Sequence, residues 1–143
     1  MDYETVSAEV FGASLRGLGI NLLVPDMARE VAFLTETFGM TAHRVSSNFA
    51  IMSLGETLFQ LHSDGTYAEN PYQGLLPETP PRGAGAELRL YDVDPEQAAA
   101  RAEGAGGTVL QAPTDKPHGL REAYILSPSG YCWVPSRPRE DVA

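Results

Sequence analysis

Three histidines, one cysteine and a scatter of carboxylates are the side chains of this 143-residue chain that could do acid–base, nucleophilic or metal chemistry. His43, His62 and His118 show no HxH, HxxxH or HExxH spacing, so no local stretch preorganises a metal site. The single Cys132 excludes an internal disulfide framework and a CxxC site. No neighbouring base or helix N-terminus is in place to activate its thiolate. Glu87-x-Arg89 and Glu122-x-Tyr124 each put two polar groups on one side of an alternating stretch. Asn21 and Gln60 are amides set among apolar neighbours (INLLV, LFQLH), where an amide needs hydrogen-bond partners. This mixture suits a polar or amphipathic small molecule: a guanidinium for a carboxylate, a phenol ring for stacking, acids for amines.

The elements that position these residues follow from periodicity. Leu18–Val24 is rich in branched residues and reads as a strand, ended by Pro25-Asp26. Asp26 is a natural N-cap, and Met27, Val31, Leu34 and Phe38 then form one apolar helical stripe closed by Gly39. Three strands are expected next, over Thr41–Ser46, Phe49–Leu54 and Thr57–His62, with turn chemistry at Asn48 and Gly55-Glu56. Residues 64–84 are dense in Pro and Gly and read as an irregular connection able to act as a lid. The order then repeats. Gly85–Tyr91 alternates strictly, and Asp94-Pro95-Glu96-Gln97 is a strong helix start for Pro95–Ala105. Thr108–Leu110, Leu120–Leu126 and Tyr131–Val134 complete a second set of three strands. The expected organisation is an arm over 1–16, a single domain over 17–136 and a tail over 137–143. The domain divides into modules 17–63 and 85–136, joined by linker 64–84.

Length and charge narrow the partners. A chain of this size buries a core without staples. Ten Lys+Arg against 19 Asp+Glu give a net charge of −9, with the cations scattered singly. Neither nucleic acid nor an anionic membrane surface is therefore expected as a partner. The opening MDYETVSAEVFGASLRG is acidic and lacks a basic region followed by an apolar one, so a cytoplasmic location is expected.

Two βαβββ halves, with V-P-D opening the first helix and S-P-S-G-Y-C-W-V-P near the end, resemble the vicinal oxygen chelate superfamily. Glyoxalase I, extradiol dioxygenases, fosfomycin-resistance enzymes and bleomycin-binding proteins belong to it. The resemblance runs from about Leu18 to Pro135. It implies an α+β fold whose two modules curl into an incomplete, cup-shaped β-barrel with helices outside, a concave face for a small substrate and a divalent metal, and a homodimer. The family's four metal-ligand positions fall on Gly19, Gln60, Gly85 and Val134. Gly and Val side chains offer no donor, and one neutral amide does not hold a hard cation. The usual metal site is therefore expected to be absent. The alternative is a displaced metal site built from His62, Glu87 and Glu122.

Those family positions also set which strand faces look into the cup. Gly19, Asn21 and Leu23, then Leu58, Gln60 and His62, then Glu87 and Arg89, then Glu122 and Tyr124 face inward; Ile20, Leu22, Val24, Phe59, Leu61, Ala86, Leu88, Leu90, Ala123, Ile125 and Trp133 face the helices. The candidate ligand-binding set is Asn21, Gln60, His62, Glu87, Arg89, Glu122 and Tyr124, over an apolar floor that includes Cys132 and Val134. His62, Glu87 and Glu122 are the candidate catalytic groups. Each has a plainer reading: Glu87 and Arg89 as a solvated pair, His62 as a strand-end histidine, Tyr124 as wall packing. The loop Thr114–Arg121 lies near the mouth as a candidate lip. The expected function is a metal-independent binding protein for a small organic molecule, without a cofactor. The competing reading is a lyase, isomerase or dioxygenase that uses metal-free acid–base groups or the displaced metal.

Overall fold

Asp26 accepts the main-chain N–H of Arg29, and Gly39 closes the same helix in the left-handed region at φ 72°. Between them lies α2 (Met27–Phe38). It follows β1 (Asn21–Val24) and precedes β2 (Thr41–His43), β3 (Phe49–Leu54) and β4 (Thr57–Ser63). The second module repeats this as β5 (Glu87–Tyr91), α3 (Pro95–Ala102), β6 (Thr108–Asp115), β7 (Leu120–Leu126) and β8 (Cys132–Pro138). The computed structural model describes residues 1–142; Ala143, the end of the expected tail, lies outside the described residues.

Each module forms one four-stranded sheet, ordered β1-β4-β3-β2 in the first and β5-β8-β7-β6 in the second. In both, the opening strand runs parallel to the closing one and the other pairs are antiparallel. The fold is α+β, two βαβββ modules in an open, cup-like arrangement, with no closed barrel. No helix among the described residues is long and apolar enough to cross a membrane.

One core serves both modules. Leu22, Val24, Phe59 and Leu61 of the first sheet, with Leu90, Ala123, Ile125 and Trp133 of the second, enclose α2 and α3. The rings of Phe59 and Trp133 lie 5.5 Å apart across the module boundary. A Cβ on Gly107 would stand 2.3 Å from the Phe33 ring and 2.8 Å from the Leu126 carbonyl, so only glycine lets α2 come this close to the second module. The strand parity expected from the sequence holds for these residues. Ile20 and Ala86 depart from it: both lie just outside the observed strands and are exposed rather than held under a helix.

Several boundaries differ from expectation for local reasons. β2 stops at His43 because Arg44 turns into positive φ. β6 continues past Leu110 to Asp115, and Pro113 is accommodated because β6 is an edge strand with two register shifts. β8 runs beyond Val134 to Pro138. Linker 64–84 carries two short 3-10 turns, Asp64–Tyr67 and Pro71–Leu75. The arm contains a helix, α1 (Ala8–Ser14), capped by Ser7.

Candidate functional site

The seven candidate binding residues fall into two sets, one on each sheet. In the first module the parallel register aligns Asn21 with Gln60 and Leu23 with His62. Ile51 and Phe49 of β3 lie beside Gln60 and His62 respectively. Asn21 is exposed, while Gln60 and His62 are half-buried. The His62 ring meets Phe49 and Tyr67 edge-on at 5.1 and 5.5 Å, and its buried Nε2 has no hydrogen-bond partner. Burial pushes its pKa down and so favours the neutral ring.

In the second module the set is ionic. Glu122 is 1% exposed and accepts from the Arg89 guanidinium, with His118 Nε2 3.2 Å from the same oxygen. Burial alone would raise the Glu122 pKa, but the hydrogen bonds and charges of Arg89 and His118 outweigh it and hold the carboxyl below its usual range. Burial alone would lower the Arg89 pKa, but its hydrogen bonds to Glu122 and Tyr124 and the charges of Glu122 and Glu87 outweigh that and push it up. Glu87 lies 3.4 Å from Arg89. The Tyr124 phenol is raised, first by Glu87 and then by burial, and Lys116 sits 5.7 Å over its ring. Burial, and then the Glu87 charge, raise the Cys132 thiol, which keeps it protonated and poorly nucleophilic.

Glu87, Arg89, Glu122 and Tyr124 thus form one connected group. His62 sits apart from it, on the other sheet. The displaced metal cluster of His62, Glu87 and Glu122 is therefore not formed: Glu122 is committed to Arg89 and His118, and His62 is enclosed by aromatic rings. Among the described residues no three His, Cys, Asp or Glu side chains converge as metal ligands. With Gly19, Gly85 and Val134 at the other family positions, the donor set does not fit a divalent cation.

Sequence reasoning missed His118 as a member of the ionic group, although it placed the surrounding loop at the mouth. Its signal was local, since His118 and Glu122 stand four residues apart across a tight turn. It also missed the polar contacts around the module boundary. Glu30 on α2 is 1% exposed and accepts from the Ser129 N–H at 3.2 Å, while its second oxygen is unpaired. Burial raises its pKa. Arg82 in the linker donates to Asp64 at 2.6 Å and to the Leu23 carbonyl at 3.1 Å. Tyr131 donates to the same Leu23 carbonyl at 2.8 Å, and burial pushes its phenol up to about 12.

Comparison with known proteins places this architecture. A family model for the Glyoxalase/Bleomycin resistance protein/Dioxygenase superfamily matches residues 18–134. A glyoxalase/bleomycin resistance protein/dioxygenase family enzyme from Burkholderia phytofirmans PsJN superposes with TM-score 0.70 at 20% identity, covering 84% of this chain and 96% of that one. A glyoxalase-related enzyme from Fulvimarina pelagi gives 0.69 at 18% identity, over 86% and 88%. The hypothetical protein SA1046 from S. aureus gives 0.69 at 19% identity, over 90% and 98%. At these identities the structural likeness speaks for the fold. Among curated proteins none matches the sequence significantly.

Proposed function

The chain belongs to the glyoxalase/bleomycin resistance protein/dioxygenase superfamily, and from that premise we propose that it is a metal-independent binding protein for a small organic molecule. The observation that carries this reading is the ionic group on the second sheet. Glu87, Arg89, Glu122, His118 and Tyr124 form a prearranged polar face, while Gly19, Gly85 and Val134, at three of the four metal-ligand positions that the family resemblance implies, bring no donor side chain. Because Arg89 is already satisfied by two carboxylates, the free valences of the face are acceptors and a ring. These suit a cationic or amphipathic ligand, which the net charge of −9 would steer inward.

Both modules pack their helix sides into one core, so their inward faces look away from it. We infer that a homodimer completes the cup, the second copy bringing Asn21, Gln60 and His62 opposite the ionic face. Light scattering on the purified chain would read this as twice the monomer mass.

A thermal-shift screen of organic cations and aromatic amines, with and without EDTA, tests the binding reading. Stabilisation that survives EDTA is expected. Glu87→Gln should weaken the best compound by about 10–150-fold, the value of one charged hydrogen bond of about 1.5–3 kcal/mol. Binding that vanishes with EDTA and returns with a divalent cation would overturn it.

A second reading rests on the His118–Glu122 contact. There His118, oriented by a buried carboxylate, moves a proton beside a carbonyl, as a metal-free lyase or isomerase would require. His118→Ala that abolishes a turnover while leaving affinity unchanged would favour this reading over simple binding.

A further inference from the structure

The arm Met1–Arg16 lies against the inward face of the first sheet. α1 has seven residues, well short of the length at which a helix holds its shape alone, so its order comes from what it touches. Only Phe11 of this helix is buried, at 6% exposure. Two cavities flank that ring, of about 520 and 290 Å³, and Phe11 and Gln60 line both. Ile51 and Phe49 form the floor of the smaller one. Arms of this kind need an anchor, and three contacts supply it. The Arg44 N–H donates to Glu4 Oε1 at 2.8 Å, the Arg44 guanidinium donates to the Val6 carbonyl, and the Tyr3 ring meets His43 at 5.2 Å.

We propose that this face is a binding site for a planar apolar ring, and that the arm is its built-in competitor, with Phe11 standing where the ring of a ligand would stand. The cavities either side of Phe11 fall near the size range of small-molecule sites, roughly 300–1,000 Å³, and lifting one phenylalanine joins them. The Gln60 amide lies between the two, available to a carbonyl or amine on the entering ring. Phe49 and Ile51 offer the ring an edge and a flat apolar base. An arm fixed by one buried ring and contacts to two residues at the end of β2 is cheap to displace, whereas the sheet beneath it belongs to the shared core. This site lies on the face that the proposed homodimer sets opposite the ionic one and so deepens that reading, but displacement of the arm is read within a single chain and can fail while binding at the ionic face holds.

The test uses the full chain and the neutral fluorophore N-phenyl-1-naphthylamine. Phe11→Ala removes the occupant, and Glu4→Ala removes one of the three anchoring contacts while leaving Phe11 in place. Neither residue is in the shared core, and emission of the single buried Trp133 verifies the fold of each variant. Both variants should bind the probe at least about tenfold more tightly than the wild type, a difference of about 1.4 kcal/mol. In the wild type, saturation with probe should speed hydrogen exchange of the amides of residues 8–14. Affinities within about twofold of wild type in both variants, or exchange in α1 unchanged by bound probe, would overturn the proposal.

Discussion

The two modules share strand order, the parallel and antiparallel pattern of pairing and helix placement, yet they finish their inward faces in opposite ways. The first sheet carries Ile51, Phe49, Gln60 and His62, apolar or neutral, and is roofed by the chain's own arm. The second carries Glu87, Arg89, Glu122 and Tyr124, charged and mutually bonded, and is not roofed by the arm. A duplicated backbone plan therefore constrains the helix side, where both modules must fill one core, and leaves the other side free to diverge. The seam between them is polar as well as apolar, with Glu30 and Tyr131 reaching across it.

The largest effect should come from breaking the ionic face. Arg89→Leu strands the buried Glu122 carboxylate and is expected to cost about 3–5 kcal/mol in urea unfolding, whereas Arg89→Leu with Glu122→Leu should recover most of it. A double variant as unstable as the single one would show that backbone packing, not the pair, holds this face.

Next comes the seam. Glu30 has a raised folded pKa, so the unfolded chain loses its proton first. Stability present at low pH is lost as pH climbs above 4.5 toward the folded value. Glu30→Gln keeps an acceptor for the Ser129 N–H without the charge, and its melting temperature should gain on the wild type between pH 4 and pH 8. A constant difference across that range would mean that Glu30 titrates as it does in water.

His62 gives the opposite sign on the first sheet. Its folded pKa is depressed, so stability is complete above about 6.5 and declines as pH falls from there toward the folded value. His62→Phe should flatten the melting temperature over that window; an unchanged slope would assign it to other groups. The smallest effect is expected at the arm. Phe11→Ala should lower global stability by about 1 kcal/mol or less while amides 8–14 lose protection, because α1 opens locally. A loss comparable to that of Arg89→Leu would make the arm part of the core.

Much of this was readable in advance for a definite reason. Asp26 and Asp94 cap helices, Gly39 stops one, and the apolar alternation of Leu88–Leu90 and Ala123–Ile125 points to the core. Each is a short-range rule that needs no knowledge of neighbours. The same rules placed Glu87 beside Arg89 and Glu122 beside Tyr124. They also put His62 with the acids, because strand parity says which way a side chain faces and not what stands opposite it.

By itself, the sequence determined the repeated βαβββ order and most of the helix-side core, Ile20 and Ala86 excepted. These rest on residue type and periodicity, which act over a few positions. Only the tertiary structure decided that Arg89 closes on Glu122 across 33 residues, that Glu30 reaches Ser129 across 99, and that Phe11 lies over the first sheet. Those contacts depend on how two sheets and an arm settle around a shared core. Long-range packing of that kind leaves no periodic trace in the chain.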